Sequence, residues 1–185
     1  MHRGKISLSV SASHPILLLC FAAAAVSGCD AGSGRNSQTG ANSGLTQLAV
    51  VDLADNRTRQ LIEFRGKVVV LDFWSRTCPP CQIAMDKMQT YRDRHPEWGD
   101  RVVLMSVNVD PSREGAASHI RAKGWNRTYN TWGGIRQEAA RALEVRTIPH
   151  AVVFDAAGQI VTAGNPLALD IPALVVGLLR KSERP

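Results

Sequence analysis

The sequence is poor in aromatic residues, which make up 5% of its 185 positions. Its formal net charge is +6, but the basic residues are scattered along the chain, some of them in separate pairs. These pairs are Arg92 and Arg94, Arg121 and Lys123, and Arg136 and Arg141. A basic stripe with interleaved aromatic side chains is missing, which argues against a nucleic-acid partner. The positive charge is compatible with a modest preference for acidic partners.

Long hydrophobic runs are also missing near the N-terminus. The apolar stretch 16–26 is shorter than the about 20 residues that a membrane-spanning helix needs. It follows a basic start at residues 2–5, and this order predicts that residues 1–28 are an export signal. The stretch Val26-Ser27-Gly28-Cys29 resembles a bacterial lipoprotein processing box, which predicts a lipid on Cys29. The alternative is an ordinary secretory signal with an unrelated cysteine.

Cysteine is scarce, with four residues in the whole chain. Cys20 would be removed with the predicted signal, and Cys29 would carry the lipid. Only Cys78 and Cys81 would remain as thiols, in a compartment where disulfides persist. A scaffold held together by several disulfides is therefore excluded.

A polar segment separates the predicted signal from the remainder of the chain. Residues 29–44 are mostly Gly, Ser, Asn, Gln and Thr, a composition that cannot bury enough apolar surface to fold. We expect a flexible tether that holds a globular domain away from the membrane. That domain is predicted at residues 45–185, a normal length for one domain with its own core.

Within residues 45–185, predicted strands and helices alternate. The predicted strands cover residues 48–53, 58–64, 68–74, 101–109, 151–155 and 159–163, with 125–132 irregular or a short strand. The predicted helices run from Cys78 to before Pro96 and over 112–123, 134–143 and 170–181, with Ser112 as a cap and Gly124 as a stop. This order predicts an α/β fold with a mixed central sheet and helices on both faces.

The two remaining cysteines lie where a buried strand leads into a helix. After Cys81, apolar residues recur at the spacing of one helix face. The free N–H groups and the dipole of a helix start favour the negative thiolate, which is the reactive form of cysteine. Pro79 and Pro80 are tolerated in a first helical turn. This arrangement indicates a redox-active pair.

Two other interpretations of the pair stay open. A Cys-x-x-Cys can be half of a zinc site, but such a site usually needs a second Cys or His pair at ligand spacing, and the sequence has none downstream. The pair could also form a structural disulfide, although so small a loop gains little stability from cross-linking.

Two motifs together resemble the thioredoxin superfamily, most closely the membrane-tethered TlpA/ResA-like thiol–disulfide oxidoreductases. The first is Arg65-Gly66-Lys67-Val68-Val69-Val70-Leu71-Asp72-Phe73-Trp74 followed by Cys78-Pro79-Pro80-Cys81. The second is Val145-Arg146-Thr147-Ile148-Pro149, followed by Ala151-Val152-Val153-Phe154-Asp155 and Gly158. The resemblance implies a thioredoxin-like fold with an extra helix inserted before a cis-proline loop.

The resemblance also assigns roles to residues. Cys78 would be the nucleophile and Cys81 the resolving thiol, and their disulfide would be the redox group with no further cofactor and no metal. Pro149 would be the cis-proline. The backbone of Ile148 would face an extended substrate segment, together with Trp74, Thr77, Pro79 and Pro80.

Asp72 is the third catalytic candidate. It interrupts an apolar strand, and a buried carboxylate should have a raised pKa. Its place six residues before Cys78 matches the buried acid that relays protons in thioredoxin itself. The alternative is an aspartate at a strand end that faces water.

The sequence also departs from the family pattern. Thr77 stands where Trp is common, Ala84 where Glu is common, and Asp86 where Pro is usual. His150 follows the proline, where the family usually has Thr, and could tune Cys78 or simply pack. The acid near the helix is thus missing, which leaves the proton-relay role to Asp72.

The resemblance predicts a lipid-anchored enzyme of the bacterial cell envelope, periplasmic or on the outer face of the cytoplasmic membrane. Its expected partners are exported proteins with disulfides, including apocytochrome c, a thiol-type electron donor in or outside the membrane, and the membrane itself. Two other functions remain alternatives. One is a copper or zinc chaperone that uses the same cysteines, and the other is a peroxiredoxin-like thiol peroxidase.

Overall fold

The computed structural model describes residues 44–45 and 48–183. The strands are β1 (Ala49–Asp52), β2 (Thr58–Gln60), β3 (Val68–Trp74), β4 (Val102–Asn108), β5 (Tyr129–Trp132), β6 (His150–Phe154) and β7 (Ile160–Gly164). The α-helices are α1 (Pro79–Arg94), α2 (Arg113–Lys123), α3 (Glu138–Ala142) and α4 (Ile171–Ser182), and 3-10 helices span Leu61–Phe64 and Pro96–Arg101. The predicted export signal, the lipidation site Cys29 and nearly all of the predicted tether lie outside the described residues.

One mixed sheet of seven strands, in the order β2-β1-β5-β4-β3-β6-β7, forms the centre of the fold. β3 pairs in parallel with β4 and antiparallel with β6. All seven residues of β3 are buried, as expected for an apolar run that is covered on both faces. β3 is therefore the most enclosed strand among the described residues, and its end at Trp74 fixes where the loop that leads to Cys78 begins.

Helices cover both faces of the sheet, as predicted. Val68 and Val70 pack with residues of α1 and α4, and Trp74 packs with residues of α1 and α2. The alternate residues Val69, Leu71 and Phe73 face the other side, where α3 covers them. Successive side chains of a strand point to opposite faces, so Asp72 lies on the face that α1 covers.

The segment between β4 and the loop that precedes β6 contains the predicted extra helix. α2 begins after Ser112, whose Oγ accepts a hydrogen bond from the Gly115 backbone N–H (3.0 Å). It ends at Gly124, which has a left-handed φ of 67°. Both ends agree with the sequence prediction, because a serine cap and a terminal glycine are local signals.

Two predicted elements are shorter than the sequence suggested. The strand predicted over 58–64 stops at Gln60, whose N–H donates to Glu63 Oε1 (2.7 Å) and closes a 3-10 turn. The helix predicted over 134–143 covers only Glu138–Ala142, because Gly134 (φ 77°) and Gln137 (φ 51°) adopt left-handed backbone conformations that interrupt a helix. Within the described residues, no helix is long and apolar enough to cross a membrane.

Candidate active site

Cys78 and Cys81 form a disulfide at the N-terminus of α1, with Cα atoms 5.3 Å apart. Cys78 is the residue that caps the helix, and its Sγ accepts a hydrogen bond from the Cys81 N–H (3.3 Å). Pro79 and Pro80 occupy the first helical turn, where a missing N–H has no intrahelical partner to lose. The prediction that the cysteines lie where β3 leads into the start of a helix is therefore confirmed. The free N–H groups of that helix start are available to a thiolate on Cys78.

The two sulfurs have different environments. Cys78 is half-buried, whereas Cys81 is 0% exposed and packs with Trp74 and Met85. A molecule that approaches from solvent can therefore reach Cys78 before Cys81. This asymmetry agrees with the expected order of nucleophile and resolving thiol.

Asp72 is 1% exposed, and neither carboxylate oxygen has a hydrogen-bond partner within the described residues. Its neighbours across the sheet are Ser106 on β4 and Ala151 on β6. The Ser106 hydroxyl donates to Asn130 instead (2.7 Å). Burial without compensation raises the pKa of the Asp72 carboxyl well above its usual value. The alternative of a water-facing aspartate at a strand end is wrong.

The position of Asp72 follows from strand alternation. Val70 packs under α1 with Met88, and Trp74 packs under α1 with Cys81. Asp72 lies between these two residues on the same face. Its carboxyl group is therefore held beneath the helix that carries both cysteines.

The Ile148–Pro149 peptide bond is cis, as the resemblance implied. Pairing of β3 with β6 ends with Phe73 opposite His150, so Pro149 follows at the edge of the sheet where Trp74 ends β3. Pro149 is buried and Ile148 is half-buried. Ile148 and Cys78 both pack against the cluster that contains Trp74 and Cys81, which brings the proline loop next to the disulfide.

The remaining predicted substrate-binding residues fall into two groups. Thr77, Pro79 and Pro80 are exposed around Cys78 and are available to a substrate. Trp74 is 0% exposed, so the prediction that it contacts the substrate is not supported, because its ring lies below the surface. It packs edge-on against Trp125, with ring centroids 5.3 Å apart.

Two of the departures from the family pattern lie in α1, and a third lies at the start of β6. Ala84 is buried, and its methyl group supplies no carboxylate to the site. Asp86 is exposed, yet it accepts a hydrogen bond from Trp125 Nε1 (2.7 Å). His150 is half-buried, and burial lowers the pKa of its imidazole.

Sequence reasoning missed Asp110, which organises the loop between β3 and Cys78. Its Oδ1 accepts from Ser75 Oγ (2.5 Å), and its Oδ2 accepts from the backbone N–H of Arg76 (2.9 Å). Asn108 Nδ2 donates to the same Oδ2 (2.9 Å). The Ser75 hydroxyl in turn accepts from the Thr77 N–H (3.3 Å), so one carboxylate fixes the residues that lead to the nucleophile.

Asp110 has the opposite electrostatics to Asp72. Burial alone would raise the pKa of the Asp110 carboxyl, but the hydrogen bonds from Ser75, Arg76 and Asn108 and the charge of Arg76 lower it overall. Asp110 is therefore ionised at neutral pH. The one available sequence signal was its place directly after β4, at the sheet edge where β3 also ends.

Metal ligands do not gather around the cysteines in the described part of the chain. Among residues 44–45 and 48–183, no three His, Cys, Asp or Glu side chains are close enough to one another to hold an ion.

Comparison with known proteins agrees with this geometry. The family model for thioredoxin-like proteins matches residues 66–160, just over half of the chain. Sporulation thiol-disulfide oxidoreductase A of Bacillus subtilis is 26% identical over 99 residues, which cover 52% of this chain and 58% of that protein. The thiol-disulfide oxidoreductase ResA of Oceanobacillus iheyensis is 37% identical over 54 residues, 29% of this chain and 28% of that protein. The chain thus spans less than two thirds of the length of these curated relatives.

Solved structures show the same fold. The thioredoxin domain of a thiol-disulfide oxidoreductase from Bacteroides vulgatus superposes with a TM-score of 0.61 at 17% identity, covering 77% of this chain and 97% of that one. The fold and the similarity to ResA-type proteins expected from the two motifs are confirmed. The chain belongs to the thioredoxin-like family.

Proposed function

We propose that this chain is a thiol–disulfide oxidoreductase that uses Cys78 and Cys81 as its redox couple. The observation that carries the proposal is the disulfide at the start of α1, with one accessible sulfur and one fully buried sulfur. The printed names of its relatives describe the same activity. No cofactor beyond the cysteine pair is needed, because the pair itself stores two electrons.

The reaction starts from the reduced pair. The Cys78 thiolate attacks one sulfur of a substrate disulfide and forms a mixed disulfide, while the other substrate sulfur leaves as a thiolate and takes up a proton. Cys81 then loses its proton and attacks Cys78 Sγ, which closes the Cys78–Cys81 disulfide and releases the second substrate thiolate. The substrate gains the two electrons that the enzyme loses.

Asp72 would accept the proton that Cys81 must lose. It lies beneath α1, has no competing hydrogen bond among the described residues, and has a raised carboxyl pKa because of burial. A carboxylate whose pKa is raised is a stronger base than an ordinary aspartate, which favours transfer of a thiol proton to it. The missing acid at Ala84 leaves Asp72 as the base for this step.

The substrate would be an extended polypeptide segment with an accessible disulfide. The Ile148 backbone, beside the cis-proline and the cysteine cluster, offers hydrogen-bonding groups to such a segment in the manner of strand addition. Thr77, Pro79 and Pro80 would form the rim around Cys78. Exported proteins, apocytochrome c among them, are the proposed substrates, and a thiol-type donor in or outside the membrane would re-reduce Cys81 and Cys78.

The activity is tested by reduction of insulin with dithiothreitol as the electron source. We expect catalysis by the wild type and none by Cys78→Ser. Catalysis that survives in Cys78→Ser would overturn the proposal. Tight copper or zinc binding without insulin reduction would favour the chaperone alternative, and rapid peroxide consumption would favour the peroxidase.

The direction of electron flow is tested by the reduction potential. A value near about −270 mV would support a reductase, whereas one near about −120 mV would indicate an oxidant. The Cys78 thiol should also react with iodoacetamide with a pKa below the roughly 8.5 of a free cysteine.

The proposed location in the cell envelope depends on Cys29. Labelled palmitate should enter the wild type and not Cys29→Ser, whose precursor should remain unprocessed or mislocalised. Labelling of Cys29→Ser would contradict lipid attachment at this residue.

A further inference from the structure

The loop from Ser75 to Thr77 carries a cation directly before the nucleophile. Arg76 lies two positions ahead of Cys78, and its Nε is 3.3 Å from Asp110 Oδ2. Its side chain is 38% exposed, whereas that of Asp110 is 8% exposed. The buried Asp110 carboxylate therefore has a fixed position and holds the more exposed Arg76 guanidinium.

A glycine makes room for this guanidinium. A Cβ on Gly115, in the first turn of α2, would lie 3.0 Å from Arg76 Cζ and 3.2 Å from Nη1. Arg76 is therefore drawn against the start of α2, on the β4 side of the loop, and the backbone N–H of the same residue is bound by the same carboxylate.

The charges of this pair matter because Cys78 reacts as a thiolate. A cation next to a cysteine stabilises the thiolate and lowers its pKa, and an anion has the opposite effect. When the two side chains are paired, the opposite effects of their charges on Cys78 nearly cancel. If either were alone, a net charge would act on Cys78 from the adjacent loop.

We propose that Asp110 is a positioning residue that holds Arg76 against α2 and offsets its charge beside Cys78, so that the Asp110–Arg76 pair sets the reactivity of the nucleophile. The consequence for catalysis rests on the proposed function, but the effect on the Cys78 thiol does not. The effect on the Cys78 thiol also does not depend on the substrate, the electron donor or the location of the protein.

The proposal predicts opposite effects for the two partners. Asp110→Asn leaves Arg76 without its counter-ion and should lower the apparent pKa of the Cys78 thiol, whereas Arg76→Gln leaves an uncompensated carboxylate and should raise it. A unit charge in a partly buried site within about 10 Å changes an ionisation equilibrium by about tenfold. Since Arg76 is partly solvated, we expect iodoacetamide alkylation at pH 6 to be about three- to tenfold faster in Asp110→Asn and slower by a similar factor in Arg76→Gln.

The experiment uses the reduced full-length chain over a pH series, with mass spectrometry to assign the alkylated sulfur. The double variant Asp110→Asn with Arg76→Gln should return towards the wild-type profile, because the two opposite charges of the pair are removed together. Equilibration with glutathione gives a second measurement. Asp110→Asn should be more oxidising than the wild type, and Arg76→Gln more reducing, because a stabilised thiolate favours the reduced form.

The chain offers a matched control pair. Asp52 is 6% exposed, accepts hydrogen bonds from the Ala54 N–H and the Tyr129 hydroxyl, and lies 3.7 Å from Arg59 Nε. β1, which carries Asp52, is separated from β3 by β5 and β4. Asp52→Asn and Arg59→Gln should therefore leave the Cys78 profile unchanged even if they lower stability.

The proposal is overturned if Asp110→Asn and Arg76→Gln shift the profile in the same direction, if neither shifts it, or if Asp52→Asn shifts it as much as Asp110→Asn. Opposite shifts that fade at high salt support it. If the wild type fails to reduce insulin but the opposite shifts are present, the proposed function fails and the role of the pair stands. If insulin is reduced but the shifts are absent, the proposed function stands and the role of the pair fails.

Discussion

Asp72 and Asp110 are both buried carboxylates close to the active-site cysteines, yet their surroundings give them opposite properties. Asp72 interrupts the apolar strand β3 and has no hydrogen-bond partner among the described residues, so burial raises the pKa of its carboxyl well above normal. Asp110 is held by Ser75, Arg76 and Asn108, and its pKa is lowered. Burial alone therefore does not decide whether a carboxyl group carries a proton; its partners do.

The different pKa values of the two carboxyl groups suit them to different roles. A carboxyl group that can hold a proton near neutral pH is suited to proton transfer, whereas one that stays ionised is suited to holding structure. The first lies beneath α1 and the second beside the loop that enters α1. The two groups can be separated by experiments that change one and leave the other.

The largest expected effect comes from removing the thiol that Asp72 is proposed to serve. Cys81→Ser should stop resolution completely and trap a mixed disulfide with the partner through Cys78, because serine cannot attack sulfur at neutral pH. Non-reducing electrophoresis should show an adduct that added thiol releases.

The other cysteine provides the control for this trap. Cys78→Ser should accumulate little adduct. The reverse pattern would exchange the roles of the two cysteines, and no adduct in either variant would favour the zinc or structural interpretations.

The next effect tests Asp72 in catalysis. Asp72→Asn should slow the release of the mixed disulfide by about 10²- to 10⁴-fold, the range typical of general acid–base catalysis, while its formation changes little. Stopped-flow reduction of a model disulfide separates the two steps. Unchanged resolution in a normally folded variant would mean that Asp72 has only a structural role.

The same substitution tests the electrostatic contrast through stability. The Asp72 pKa is raised on folding, so the folded state binds the proton more tightly, and wild-type stability should fall as pH rises above about 4, the unfolded value. Asp72→Asn should be more stable than the wild type by about 1–3 kcal/mol at pH 7.5, with the gain disappearing near pH 4. Urea unfolding over a pH series measures this, and a gain that does not depend on pH would contradict it.

Asp110 should behave in the opposite way. Its pKa is depressed on folding, so its contribution to stability is present above about pH 4 and is lost as pH falls through the folded value. Asp110→Asn should destabilise the protein by about 1–3 kcal/mol at pH 7, because Ser75 and the Arg76 N–H lose a charged acceptor and Arg76 is partly screened by solvent. Thermal unfolding at pH 7 and pH 3 gives the comparison, with Asp52→Asn as a control for burial alone.

The smallest expected effect concerns Gly115. Alanine favours a helix by about 1 kcal/mol over glycine, but the new Cβ would crowd Arg76 and Ser112 Oγ at 3.0–3.2 Å. We expect the two effects to offset to within about 0.5 kcal/mol, with a less than twofold change in Cys78 alkylation. A change as large as that of Asp110→Asn would mean that the position of Arg76 matters more than its charge.

The sequence predicted the parts of the site that local patterns encode. The run before Trp74 identified β3, the helical spacing after Cys81 identified α1, and Ser112 and Gly124 marked both ends of α2. Resemblance supplied the cis-proline at Pro149, which spacing alone does not determine. Asp72 was recognisable because one carboxylate interrupts an apolar strand.

The missed features depend on contacts that are distant along the chain. Asp110 binds Ser75 and Arg76, which are 35 and 34 positions away, and nothing local marks a polar residue after a strand as their partner. Trp74 was predicted to be either core or rim of the substrate groove, and the packing of α1 and α2 places it in the core. The shortened helix before Leu143 results from the left-handed conformation of Gln137, which is unusual for a residue other than glycine.

β3 has a consequence for how protons could reach Asp72. Both neighbours of this strand are hydrogen-bonded to it along most of its length, and none of its residues is exposed. Amides in such a strand exchange with solvent only through openings that approach global unfolding in cost. Hydrogen exchange should therefore be slowest at Val70 and Leu71 and much faster at the first turn of α1. Asp72 lies within this closed segment, so its carboxyl group should exchange protons from the α1 side of the sheet, where its proposed partner Cys81 also packs.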